Sequence, residues 1–191
     1  TFMGAILEKC GLAEDMLDSM GQLFGRIRGG LGYSVILVGF VLGAITGTVA
    51  AQVIAMAMIS LPVMMRYGYN MRYATGVLAA SGTITQLVPP SLVLIVLADQ
   101  LKTPTASADV GNMYLGAWLP SLLQIGLFML YTFLLTRIKP DWLPGIPEAD
   151  IKLKGWALWK KALHGILPTA VLIFLVLGTI MLGIATPTES G

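Results

Sequence analysis

Long uncharged stretches alternate with short charged ones along this chain. No Asp, Glu, Lys or Arg occurs from 29 to 65, from 73 to 98, from 110 to 136, or from 162 to 188. A helix rises about 1.5 Å per residue and the hydrocarbon layer is about 30 Å thick, so roughly 20 apolar residues suffice to cross it. All four stretches exceed that length. The pattern predicts an all-α integral membrane protein that crosses the bilayer several times.

Within these stretches the pattern is broken in informative places. Residues 1–28 read as the end of a membrane helix followed by an amphipathic one. Leu12, Met16, Met20, Leu23 and Ile27 recur every three or four positions, between Lys9 and Arg28. That period gives a helix lying along the membrane interface, or one packed against another segment. The 29–66 region carries Gly43-Ala44-Ile45-Thr46-Gly47-Thr48 near its middle and arginines at both ends. It is too short for two full crossings with a turn. It predicts a re-entrant hairpin, with helices over about 31–44 and 49–66 and a tip at 45–48. The alternative is one long tilted helix that uses its glycines for close packing.

The 73–98 region predicts a discontinuous helix. Ser81-Gly82-Thr83 and Val88-Pro89-Pro90-Ser91 are both expected to interrupt it, because proline removes a donor and restricts the residue before it. A simple proline kink is the alternative. Residues 112–136 read as one continuous crossing, in which the Thr132 hydroxyl is expected to take no part in an ion site. Residues 137–161 read as a connector, with Trp142, Trp156 and Trp159 beside its lysines as an interfacial belt. Residues 162–191 read as a further crossing and the start of another unit. The chain reads as part of a longer polypeptide, without a signal-peptide pattern.

Composition sharpens the membrane reading. Of 191 residues, 56% are hydrophobic and 12% charged, about half the charged share of a soluble domain. Arg26, Arg28, Arg66 and Arg72 bracket the hairpin, and Arg137, Lys139, Lys152, Lys154, Lys160 and Lys161 crowd the connector. Cytoplasmic loops gather Lys and Arg, so these should lie inside and the loop near Asp99 and Asp109 outside. One cysteine, Cys10, permits no intrachain disulfide.

Candidate catalytic chemistry is scarce. His164 sits beside the basic connector and reads as interfacial, and Asp99 as a residue at headgroup level. Glu189 follows a long apolar run, which makes it a functional candidate. No metal-cluster, nucleophile-elbow or phosphate-loop pattern is present. The chain is expected to be neither an enzyme nor a binder of nucleic acid. What remains is uncharged, oxygen-rich broken backbone at Thr46-Gly47-Thr48 and at 81–91. In secondary transporters, broken helices of this kind hold ions and substrates.

Taken together, Arg28-Gly29-Gly30-Leu31, Gly43-Ala44-Ile45-Thr46-Gly47-Thr48, Pro62-Val63-Met64 with Gly68-Tyr69, Val88-Pro89-Pro90-Ser91, and Gly183-Ile184-Ala185-Thr186-Pro187-Thr188-Glu189 resemble the large membrane subunit of tripartite ATP-independent periplasmic (TRAP) transporters. The resemblance implies an elevator-type sodium symporter for organic acids in the bacterial inner membrane. Its implied partners are a periplasmic substrate-binding protein and a small membrane subunit, with sodium as coupling ion and no other cofactor. It places an ion site at Thr46, Gly47, Thr48, Gly82, Thr83, Val88 and Pro89. Ser81, Gln86, Pro90, Ser91, Thr186 and Glu189 are the corresponding substrate candidates. Thr46 and Thr48 stand where the family often has Ser, which keeps a hydroxyl. A second inverted repeat, which would complete the substrate pocket, is absent from these residues. The competing reading is a membrane scaffold that moves nothing, with continuous helices through 45–48 and 81–91.

Overall fold

The computed structural model describes residues 12–25, 27–46, 48–89, 91–101, 110–147 and 156–182. These form seven α-helices: α1 (Leu12–Phe24), α2 (Gly30–Thr46), α3 (Val49–Arg66), α4 (Met71–Thr83), α5 (Leu92–Gln100), α6 (Val110–Ile138) and α7 (Trp156–Met181). Short 3-10 turns occupy Ile84–Gln86 and Pro140–Trp142, and no strand occurs among the described residues.

Among the described residues, three helices are long and apolar enough to span a membrane: Val49–Arg66, Val110–Ile138 and Ala162–Ile180. Their solvent-facing residues say the same. Leu119, Leu123, Tyr131 and Ile138 of α6 and Leu167, Phe174 and Leu175 of α7 are all exposed, an arrangement that calls for lipid or further protein in place of water.

The core forms around α2, whose sequence is apolar on every side and therefore suits full burial. Val35, Ile36 and Val38 are almost inaccessible, and α2 packs on α1, α3, α4, α6 and α7. On α1 the buried face is Met16, Leu17 and Met20. Gly165 of α7 lies against Met16, where an added Cβ would come within 2.9 Å of its side chain. The corner from α1 into α2 needs glycine. Gly29 has φ +80°, and a Cβ on Gly30 would collide with the Phe24 carbonyl.

The chain does not run through 29–66 as one tilted helix. α2 ends at Thr46, α3 begins at Val49, and the two arms return to a common base. There the Leu31 N–H donates to Tyr69 Oη at 3.3 Å. Residues 142–146 close the base: Gly29 N–H donates to Leu143 O (3.2 Å), Asn70 N–H to Trp142 O (3.0 Å) and Ile146 N–H to Gly25 O (2.8 Å). Burial raises the pKa of the Tyr69 phenol, which holds it neutral at this junction.

Four boundaries differ from the sequence expectation. α4 starts at Met71, because Asn70 caps it by accepting from the Arg72 N–H at 2.9 Å. Ser81-Gly82-Thr83 does not interrupt the helix but forms its last turn. Ser81 Oγ donates to Leu78 O (3.0 Å) and Thr83 Oγ1 to Ala80 O (2.7 Å), so both hydroxyls are satisfied within the helix. α6 runs beyond 112–136 at both ends. α7 begins at Trp156, inside the expected connector, so exposed Trp156 and Trp159 ride on a helix.

Candidate functional site

The hairpin and the broken helix are packed into one unit. α4 rises from the base beside α2 and wedges between the hairpin arms. At Gly39 of α2 an added Cβ would lie 2.8 Å from Ser81 Cβ, and at Gly82 it would collide with the Val53 side chain of α3. Adjacent residues of α4 thus touch the two arms, and glycine is what allows each approach. Gly39 lies about 10 Å of helix rise below Thr46, and the turn at 84–88 continues from Ser81 by about the same distance. The hairpin tip and the break therefore stand at a similar height above the base.

The break itself is braced by hydroxyls. Above Thr83 the chain makes a 3-10 turn, then passes through buried Val88 and Pro89. Leu87 N–H and Val88 N–H both donate to Ile84 O, at 3.0 and 3.3 Å. Ser91 Oγ donates to Gln86 O at 2.7 Å, tying the start of α5 back across the gap. Ser121 of α6 donates to Leu87 O at 2.9 Å. The buried Tyr114 phenol of α6 approaches the Ser91 backbone without closing a hydrogen bond. Within a bilayer such irregular backbone must be satisfied by protein or line a cavity, and here α6 supplies part of that cover.

The expected site residues divide as follows. Ser81, Gly82, Val88, Pro89 and Ser91 are buried, Gln86 is half-buried, and Thr48 and Thr83 are exposed. The structure joins Ser91 to Gln86 and sets Ser81 and Gly82 against the hairpin arms. Thr83 Oγ1 is occupied by its own helix. Thr48 stands at the N-cap of α3 without a side-chain cap. Gly47, Pro90, Thr186 and Glu189 lie outside the described residues, as does the side chain of Thr46. Among the described residues no group of His, Cys, Asp and Glu is arranged for a metal ion.

Sequence reasoning missed three polar residues here: Ser121, Tyr114 and Gln52. Each is an uncharged polar residue in a mostly apolar stretch, and that polarity is the signal that could have found it. Gln52, 1% exposed on α3, sits next to Val53 at the hairpin contact.

Comparison with known proteins identifies the family. The family model described as tripartite ATP-independent periplasmic transporter, DctM component, matches residues 1–191. The C4-dicarboxylate TRAP transporter large permease protein DctM of Pseudomonas aeruginosa is 32% identical over 188 residues, covering 98% of this chain and 41% of that protein. The protein of the same name from Rhodobacter capsulatus is 28% identical over 196 residues, with 98% and 43% covered. The isethionate TRAP transporter permease protein DctMQ of Oleidesulfovibrio alaskensis is 29% identical over 189 residues, with 99% and 27% covered. The chain thus spans less than half the length of these relatives. With a family model matched from end to end, the chain belongs to the DctM component family of TRAP transporters.

Proposed function

We infer that this chain is part of the translocating subunit of a sodium-coupled transporter that imports an organic acid delivered by a periplasmic binding protein. One observation carries the reading. α4 is wedged between the hairpin arms, which puts two interruptions at one height in a region without charged side chains. A monovalent cation bound there is held by carbonyl and hydroxyl oxygens, which match its hard character without leaving a fixed charge in the bilayer. Thr46, Gly47, Thr48, Gly82, Val88 and Pro89 are the ion-site candidates. Thr83 contributes less, because its hydroxyl is turned to its own helix.

The substrate class follows the relatives' names, which specify C4-dicarboxylates and isethionate. All are small anionic acids. A small membrane subunit and a periplasmic binding protein are the partners that go with this reading, and the bacterial inner membrane is its location. Movement of the hairpin unit as an elevator against a fixed scaffold is the proposed mechanism. The scaffold alternative expects continuous helices through 45–48 and 81–91, yet α2 stops at Thr46 and α4 at Thr83.

The test is sodium-driven uptake by the full-length parent, reconstituted with its partner subunits in proteoliposomes. An imposed inward sodium gradient should drive accumulation of succinate or isethionate when the loaded binding protein is added. Equal uptake under a potassium gradient would remove the sodium coupling.

A further inference from the structure

Two buried polar side chains of α3, Gln52 and Ser60, each carry an atom without a hydrogen-bond partner among the described residues, and Gln52 is the one in the first turns after the hairpin tip. It is 1% exposed, and its Nε2 has no hydrogen-bond partner among the described residues. An amide donor buried at membrane depth without an acceptor is costly to keep. An apolar residue of similar length would pack there without that cost.

Its direction can be read from helix geometry. Side chains on a helix lean toward the N-terminus, a geometry that directs position 52 toward the turn that starts at Thr48. That end of α3 is itself rich in donors. The first intrahelical bond runs from Gln52 N–H to Thr48 O at 3.2 Å, so the N–H groups of Val49, Ala50 and Ala51 precede the helical ladder. Thr48 makes no side-chain cap. No Asp or Glu occurs anywhere in 29–65 or 73–98 to face these groups. Donors that precede the ladder at the positive end of a helix suit an anion.

We propose that Gln52 Nε2 donates a hydrogen bond to an anionic oxygen of the transported acid, a carboxylate or sulfonate, held at the N-terminal end of α3. This makes Gln52 a specificity-determining residue. The proposal rests on the transport reading above and adds to it the residue that recognises the anion.

The experiment uses the full-length parent with its partner subunits in proteoliposomes. Radiolabelled succinate and isethionate are the probes, and the KM for the acid and the half-saturating sodium concentration are measured separately. Gln52→Leu should raise the KM at least tenfold and leave the sodium value within about twofold. Gln52→Glu keeps the size but sets a carboxylate against the substrate's own charge, and should raise the KM further. Should the leucine variant not fold by size-exclusion profile, Gln52→Met, unbranched like glutamine, takes its place. An unchanged KM in these variants overturns the proposal. So does a shifted sodium value with an unchanged KM, which would give the amide oxygen to the cation instead. If the wild type takes up neither probe, the organic-acid reading itself falls, a result distinct from any behaviour of Gln52.

Discussion

The Tyr73 and Thr132 hydroxyls meet at 3.0 Å between α4 and α6, directly against Gly32 of α2. Three helices share this point, and both side chains are buried. Thr132 thus ties α6 to α4, a packing role separate from any ion site. Thr132→Val should leave a buried phenol short of a partner and cost about 1–3 kcal/mol, read as a lower Tm of the detergent-purified parent. Gly32→Ala should be more damaging, because its Cβ falls where Tyr73 Oη lies. Tyr73→Phe should rescue much of that loss, since Cζ would then be the nearest atom at 3.1 Å. Failure of the rescue would mean that the clash lies elsewhere.

A second glycine contact offers a cleaner comparison. Gly82→Ala should destabilise the wedge of α4 against Val53 of α3, by about 1–3 kcal/mol for overpacking. Val53→Ala should relieve it in the double variant. Gly116→Ala on α6 meets nothing within 4 Å and should be neutral or stabilising by about 1 kcal/mol, from helix propensity. Equal melting temperatures for Gly82→Ala and Gly116→Ala would contradict the packing described.

Sidedness follows from the closed base. In a parent with Cys10 replaced, Arg28→Cys and Arg72→Cys should both react with permeant thiol reagents only, which marks them as cytoplasmic. Gln100→Cys should react with impermeant reagent from outside. Opposite labels for positions 28 and 72 would refute the return of the hairpin to one side.

For the ion, Thr46→Val and Thr48→Val each remove one hydroxyl at nearly constant volume. Loss of a coordinating oxygen, at about 1–3 kcal/mol, should raise the half-saturating sodium concentration roughly five- to a hundredfold, at about 1.4 kcal/mol per factor of ten. Thr83→Val should have a smaller effect, its hydroxyl being bonded to Ala80 O. Sodium dependence unchanged in all three would leave the hydroxyls without a role in the site.

How far the sequence could be read depended on whether a feature was local. The arms of the hairpin and the break at Val88-Pro89 follow from glycine, proline and charge placement, all decided within a few residues. The Ser81-Gly82-Thr83 turn was misjudged because helix propensity was weighed without tertiary contact. Gly82 is there for Val53, and the two hydroxyls bond back to their own helix. Ser121 and Tyr114 could not be assigned because what they cover lies tens of residues away in sequence. Gln52 is different: its polarity among alanines, isoleucine and methionines was visible, and only its lack of a partner required coordinates.

The strand of chain at 142–146 has a consequence for the order in which this protein is made. The bond from Ile146 N–H to Gly25 O joins residues 121 positions apart (146 minus 25), and those from 142–143 to Gly29 and Asn70 also span long loops. A ribosome adding about 5–20 residues per second needs roughly 6–24 s to cover that interval. The hairpin is complete at Arg66, so for the last 80 of these residues (146 minus 66), roughly 4–16 s, its foot is without the 142–146 segment and is held by α1, α4 and its own two ends. Contacts between segments so far apart in sequence form late and slowly. Assembly of this unit is thus completed by the segment that follows α6, so a ribosome stalled before residue 142 would leave a hairpin that is inserted but not yet fastened.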